Sequence, residues 1–134
     1  MGLVHAEIEL SSARDDALEP IRATALVDTG ATYMCIPQHI SLQLQLPVQD
    51  TRGVTLTDGS ERIVDYVGPV RVRFGARQCI VGALVLGNQP LLGAIPIEDM
   101  DLIIHPSRQQ LTVNPDSPNL PMGVAMGHRA GPHD

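Results

Sequence analysis

The residue types of this chain line up for chemistry in one stretch above all, Ala25-Leu26-Val27-Asp28-Thr29-Gly30-Ala31-Thr32. An apolar run that ends in Asp-Thr-Gly predicts a strand that delivers a carboxylate to the rim of a sheet, with a turn directly behind it. Gly30 lets the backbone turn, or approach a partner closely. Taken alone, the stretch reads most simply as a strand closed by an Asx turn. The other residues capable of chemistry decide whether it is more than that.

Those others are sparse. The five histidines stand at 5, 39, 105, 128 and 133, with no helical i, i+4 pair, so the sequence predicts no metal site. Cys35 and Cys79 form no metal or redox spacing and are expected as buried free thiols. Nine basic residues against fifteen acidic ones leave a net charge of −6, with no Lys/Arg cluster and few rings for base stacking, which argues against nucleic acid as a partner. The N-terminus carries no basic region followed by an apolar run, and nowhere do about twenty apolar residues run together. The expectation is a soluble, cytoplasmic protein with no membrane partner. At 134 residues and 43% hydrophobic the chain can bury one core, and with one Phe, two Tyr and no Trp that core must be aliphatic.

The elements that must position Asp28 follow from periodicity. Leu3 to Leu10 alternates, with Val4, Ala6, Ile8 and Leu10 on one face, and reads as a strand. Ile21 to Asp28 is the second strand; its wholly apolar end suggests burial on both faces. Tyr33 to Pro37 is extended, and Gln38 to Leu44 is expected as a short helix started by Pro37, although Ile40, Leu42, Leu44 and Leu46 alternate as a strand would. Pro47 to Gly53 reads as a loop. Val54–Thr57 and Ser60–Val64 flank Asp58-Gly59, a hairpin signature with a tight primed turn. Gly68-Pro69 is expected to break the chain, and Val70–Phe74 and Gln78–Leu86 form a second hairpin about Gly75. Leu91-Leu92-Gly93 is a short apolar step, Pro96 to Met100 a helical turn, and Asp101–His105 and Gln110–Asn114 are the last strands. Residues 115–134 hold four prolines and three glycines without periodicity and are expected as a flexible tail. The fold class is therefore all-β, a small closed sheet with one or two short helices, one domain over 1–114 followed by the tail.

In their order and spacing these pieces resemble the retroviral-type (retropepsin-like) aspartic proteases, and the single-domain bacterial and cellular members more than the viral ones. Ala25 to Thr32 resembles the family's catalytic strand and turn. Roughly sixty residues on, Gln89-Pro90-Leu91-Leu92-Gly93 resembles its second apolar-apolar-Gly element, which crosses beside the catalytic loop. Thr55 to Val64 sits where the family carries its flap, and Gly68 to Leu86 resembles the hairpin after it. The resemblance covers about residues 4 to 114. The chain departs from it in a longer N-terminal segment, a polar Asp-Gly flap tip and the tail.

The resemblance implies an acid-protease barrel that is half of a two-fold homodimer, and an aspartic endopeptidase that needs no cofactor beyond a catalytic water. Such hydrolysis uses two carboxylates facing one water: the ionised one takes its proton and the protonated one polarises the scissile carbonyl. This chain has a single Asp-Thr-Gly, so the second carboxylate must come from a second copy across an isologous interface. Two carboxylates so close share one proton. By resemblance, Asp28 is catalytic, Thr29 holds the two loops together across the interface, and Gly30 presents backbone carbonyls to the peptide. Ala31 and Thr32 border the first subsites. Thr57, Asp58 and Gly59 cover an extended peptide bound as an added strand, and Leu92 and Gly93 pack behind the catalytic loop. The alternative from another class is the same fold kept as a peptide-binding or dimerisation module without turnover.

Overall fold

The computed structural model describes residues 3–125. Its chain begins with β1 (Val4–Ser12), whose Ala6, Ile8, Leu10 and Ser12 are buried while His5 and Glu7 face solvent. The alternation seen in the sequence is thus the core-facing pleat, and it runs two residues further than the apolar pattern. β1 pairs antiparallel with β2 (Ile21–Val27), Ala6 opposite Ala25 and Val4 opposite Val27. β3 (Met34–Ile36) is wholly buried and leads into α1 (Gln38–Gln43). The helix settles the ambiguous Ile40/Leu42/Leu44 spacing. Ile40 and Leu44 lie four residues apart and are buried, whereas Leu42 is exposed, which fits a period of 3.6 and not of 2. Pro37 sits at the N-cap with extended backbone and not at the first helical position.

Three expectations fail in the middle of the chain. Pro47 to Gly53, read as a loop, lies almost entirely in β4 (Val48–Thr55), and β5 (Glu61–Phe74) runs straight through Gly68-Pro69, where a break was expected. β4 carries no apolar alternation because it is the edge of a ribbon standing off the barrel, with most of its residues exposed. Gly68-Pro69 falls at a bulge, where the β5 register against β6 (Arg77–Val85) shifts between Val67 and Val70, so the missing proline N–H costs no ladder bond. The turn joining β4 to β5 is also not the primed turn expected from Asp58-Gly59. Only Gly59 has a positive φ (+85°), Gly59 N–H donates to Leu56 C=O and Leu56 N–H donates to Ser60 C=O, which is a turn followed by a glycine bulge.

β7 (Leu91–Leu92), α2 (Ala94–Asp99), β8 (Leu102–His105) and β9 (Gln110–Val113) complete the described chain. The large sheet runs β1-β2-β7-β3-β6-β5-β4, and β5 also pairs with β1, Leu10 opposite Val72. Six strands therefore close into a barrel, β4 extends β5 outside the ring, and β8 and β9 form a separate hairpin. The protein is mostly β, with two short helices among the described residues. Leu10, Met34, Ile36, Leu44, Val67, Val70, Val72, Leu92 and Met100 are fully buried in the barrel, so the core is aliphatic as the composition requires. Of the helices among the described residues none is long and apolar enough to cross a membrane.

The segment after β9 is tied to the barrel at its start. Arg77, buried, donates from Nη1 to the carbonyls of Met100 (2.9 Å) and Asp101 (3.3 Å) and from Nη2 to that of Ser117. The Asp101 carboxylate accepts from Ser117 Oγ, Asn114 Nδ2 (3.0 Å) and the Met122 amide (3.0 Å), and lies at about 2, well below the usual carboxylate range, with the Ser117 hydroxyl as the largest cause. The expected tail thus begins with residues held in place; 126–134 lie outside the described residues.

Candidate active site

Asp28 follows directly on the last residue of β2. Two strands fix the backbone there. Leu26 N–H donates to Pro90 C=O (2.9 Å) and Asp28 N–H to Leu92 C=O (3.0 Å), so β7 lies parallel to β2, Val27 opposite Leu92. On its other side β7 pairs antiparallel with β3, Cys35 opposite Leu91. The segment 28–33 joins β2 to β3 across the end of the strand inserted between them. Within it Ala31 N–H donates to Asp28 C=O (3.1 Å), and Gly30 N–H donates to Asp28 Oδ1 (2.9 Å). The Asx turn expected from the sequence is present. One carboxylate oxygen is held by the loop's own amide, and the residue is exposed at the barrel rim.

Gly93 is the piece that holds this loop down. A Cβ there would stand 2.3 Å from Tyr33 O, 2.7 Å from Ala31 O and 2.9 Å from Thr32 C. The backbone of 31–33 therefore rests directly on Gly93. The next two amides complete the contact, Ala94 N–H donating to Ala31 C=O (2.8 Å) and Ile95 N–H to Thr32 C=O (2.9 Å). Leu92 is fully buried beneath. Leu91-Leu92-Gly93 thus combines a core contact with an open place for the loop backbone, and the structure brings Asp28, Thr29, Gly30, Ala31, Thr32, Leu92 and Gly93 into one assembly.

Thr57, Asp58 and Gly59 lie at the exposed tip of the β4–β5 ribbon, and among the described residues no hydrogen bond joins them to 28–32. Asp58 Oδ1 accepts from Ser60 Oγ (2.6 Å) and Ser60 N–H (2.9 Å), which hold the carboxyl below its ordinary range, the hydroxyl foremost. The tip is charged as well as polar. A groove of about 450 Å³ on the ribbon is lined by Gly53, Val54, Thr55, Glu61, Arg62 and Ile63, and Asp28 is not part of it.

Sequence reasoning missed the residues at the ribbon's root. Tyr33, Tyr66, Val54, Leu86 and Leu91 pack around buried Cys35, Val64 and Leu84 in a small second core, and Arg52 lies over both tyrosine rings. With Pro47–Gly53 read as loop, nothing placed Arg52; once β4 is a strand, Arg52 stands opposite Val64 on the ribbon face that also carries Tyr66. Cys35 packs in this core; its thiol is pushed up by burial, which suits packing and not nucleophilic chemistry. Among the described residues no three His, Cys, Asp or Glu side chains gather as a metal site.

No protein-family model matches this chain, and no curated protein matches it.

Proposed function

We propose that this protein is an aspartic endopeptidase of the retropepsin-like type, acting as a homodimer in which Asp28 of each copy faces one catalytic water. The observation that carries the reading is the lashing of the Asp28 loop onto β7: Asp28 N–H to Leu92 C=O, and a Gly93 so close to residues 31–33 that no side chain fits. An ordinary surface turn needs no such second strand. A general base must be held within hydrogen-bond reach of the proton it takes, and the double anchorage supplies that rigidity. Oδ1 already accepts the Gly30 amide, which orients the carboxylate.

One chain supplies one such carboxylate, so the dimer is part of the proposal. The ionised Asp28 takes a proton from the water while its protonated copy donates to the scissile carbonyl; roles exchange as the leaving amine is protonated. The β4–β5 ribbon covers the peptide, which lies extended beneath it. Asp28→Asn tests the reading. The variant is expected to fold and dimerise as the wild type does, by sedimentation velocity, and to lose cleavage of a proteome-derived peptide library between pH 3 and 7. Cleavage at the wild-type rate by Asp28→Asn refutes the mechanism, and a wild-type monomer that cleaves refutes the dimer.

One observation favours the second reading, a peptide-binding or dimerisation module without turnover: the charged Asp58 at the ribbon tip, where closure over an apolar peptide favours an apolar tip. A wild-type protein that binds a statine-containing peptide but cuts no library peptide supports that reading.

A further inference from the structure

The benzene rings of this chain are those of Phe74, Tyr33 and Tyr66. The structure sets both tyrosines against one guanidinium. Arg52 Cζ lies 4.1 Å from the Tyr66 ring centroid and 5.7 Å from that of Tyr33. Nη1 donates to Tyr33 Oη at 3.2 Å, and Nε stands 3.5 Å from Asp50 Oδ2. The two rings meet edge to face, with centroids 6.1 Å apart. Three segments converge here: Arg52 from β4, Tyr66 from β5, and Tyr33 from the connection between Asp28 and β3.

Each partner is itself fixed. The Tyr66 ring covers Gly82, where a Cβ would fall 2.1 Å from Tyr66 Cζ. The Tyr33 carbonyl is the atom closest to Gly93, 2.3 Å from where its Cβ would stand. Arg52 therefore grips the loop at the residue that Gly93 supports from below. The Asp50 pair contributes little by itself, since exposed ion pairs are weak; Asp50 is 61% exposed. The stack on Tyr66 and the bond to Tyr33 carry the contact, with the Arg52 side chain two-thirds covered. Lysine cannot reproduce it, because a point ammonium has no plane to stack while it donates sideways.

We propose that Arg52 is a positioning residue that locks the root of the β4–β5 ribbon to the Asp28–Tyr33 loop, so that ribbon and loop keep one relative pose when a peptide enters between them. The functional meaning of the lock rests on the peptide-hydrolysis reading above; the lock itself rests on the geometry alone. The ribbon's root is already held by the pairing of Tyr66 and Val67 with Leu84 and Ala83 and by Val54 and Val64 in the second core. Arg52 adds a polar tie to these apolar and backbone contacts, and it makes that tie to the loop that carries the candidate carboxylate.

The test uses Arg52→Ala, Arg52→Lys and Tyr33→Phe in the full chain, read by amide hydrogen exchange and by steady-state cleavage of the library peptide the wild type cuts fastest. In both Arg52 variants, exchange is expected to rise about tenfold in residues 49–54 and also in 28–33, with β9 unchanged, as loss of one partly covered cation–π contact and its hydrogen bond predicts. Tyr33→Phe is expected to fall between them and the wild type. Cleavage by the Arg52 variants is expected to lose about tenfold in kcat/KM, carried by KM, because the ribbon's pose affects ground and transition states alike. Exchange that rises only in the ribbon overturns the lock, and so does an Arg52→Lys indistinguishable from wild type. Coupled exchange changes in a protein that cuts no peptide leave the lock standing and refute the hydrolysis reading.

Discussion

Gly93→Ala is the sharpest probe of the strand that supports Asp28. Gly93 has φ −86° and ψ −169°, a conformation open to alanine, so the backbone angles themselves oppose nothing. The obstacle is space. The added Cβ meets Tyr33 O at 2.3 Å, Ala31 O at 2.7 Å and Thr32 C at 2.9 Å, all backbone atoms of the loop it supports. That loop must lift by roughly 1 Å for the Tyr33 carbonyl to reach an ordinary contact distance, and forcing such overpacking costs about 1–3 kcal/mol. Lifting it stretches the bonds from the Ala94 and Ile95 amides, 2.8 and 2.9 Å long. Each contributes about 0.5–1.5 kcal/mol net. Loss of unfolded-state freedom returns about 0.4–1 kcal/mol. Taken at mid-range these contributions leave a net loss of about 3 kcal/mol, a large share of a typical domain's stability. In urea, followed by far-UV circular dichroism, the midpoint is expected to fall by about 1–2 M. Gly53→Ala is the control, since a Cβ there meets nothing within 4 Å; its midpoint should move by less than about 0.3 M. A Gly93→Ala midpoint no further from wild type than the control's refutes the argument that the loop rests on Gly93, and with it the support for a rigidly held Asp28.

Four further outcomes follow from buried or perturbed groups. Arg77→Met removes the guanidinium from the carbonyls of Met100, Asp101 and Ser117 and is expected to cost about 2–4 kcal/mol in urea unfolding; thermolysin should also gain access to the chain near Leu120 and Met122. The Asp101 carboxyl lies at about 2 when folded against 3.8 for the free group, so its stabilisation is present above about pH 4 and is lost as pH falls towards 2. Asp101→Asn should flatten the urea midpoint across that window, and an unchanged pH profile argues against the Ser117 and Met122 contacts. Burial, with Asp99 nearby, pushes the Cys79 thiol up to about 12 from 9.0. The unfolded thiol therefore ionises first, and stability is expected to fall as pH rises above about 9. At pH 8 both cysteines, buried and unpaired, should be silent to a thiol-specific disulfide reagent until the protein unfolds; reaction of the native protein at the unfolded rate refutes their burial.

Much of this architecture is legible without coordinates, for local reasons. β1 announces itself because one face is buried and the other wet, so Ala6, Ile8 and Leu10 must alternate with His5, Glu7 and Glu9. The Gly75 turn between β5 and β6 is legible because glycine takes its positive φ at the least steric cost. The absence of Trp and the scarcity of other rings fixed an aliphatic core before any packing was known. Asp28-Thr29-Gly30 was visible as a carboxylate after an apolar strand, and Leu91-Leu92-Gly93 as an apolar step ending in glycine.

What joined those two pieces is tertiary. No local rule says that β7 inserts between β2 and β3, because a two-residue strand has no period and its partners lie far away in the sequence. Only the folded chain sets Gly93 against the Tyr33 carbonyl and makes the glycine that ends an apolar step the support of the Asp28 loop. The β4 edge was hidden for the opposite reason: a ribbon that buries little leaves no apolar pattern in its sequence. Arg52 was hidden with it. The sequence by itself determined which residues could carry a carboxylate and a closed aliphatic barrel; packing between distant segments decided what holds that carboxylate still.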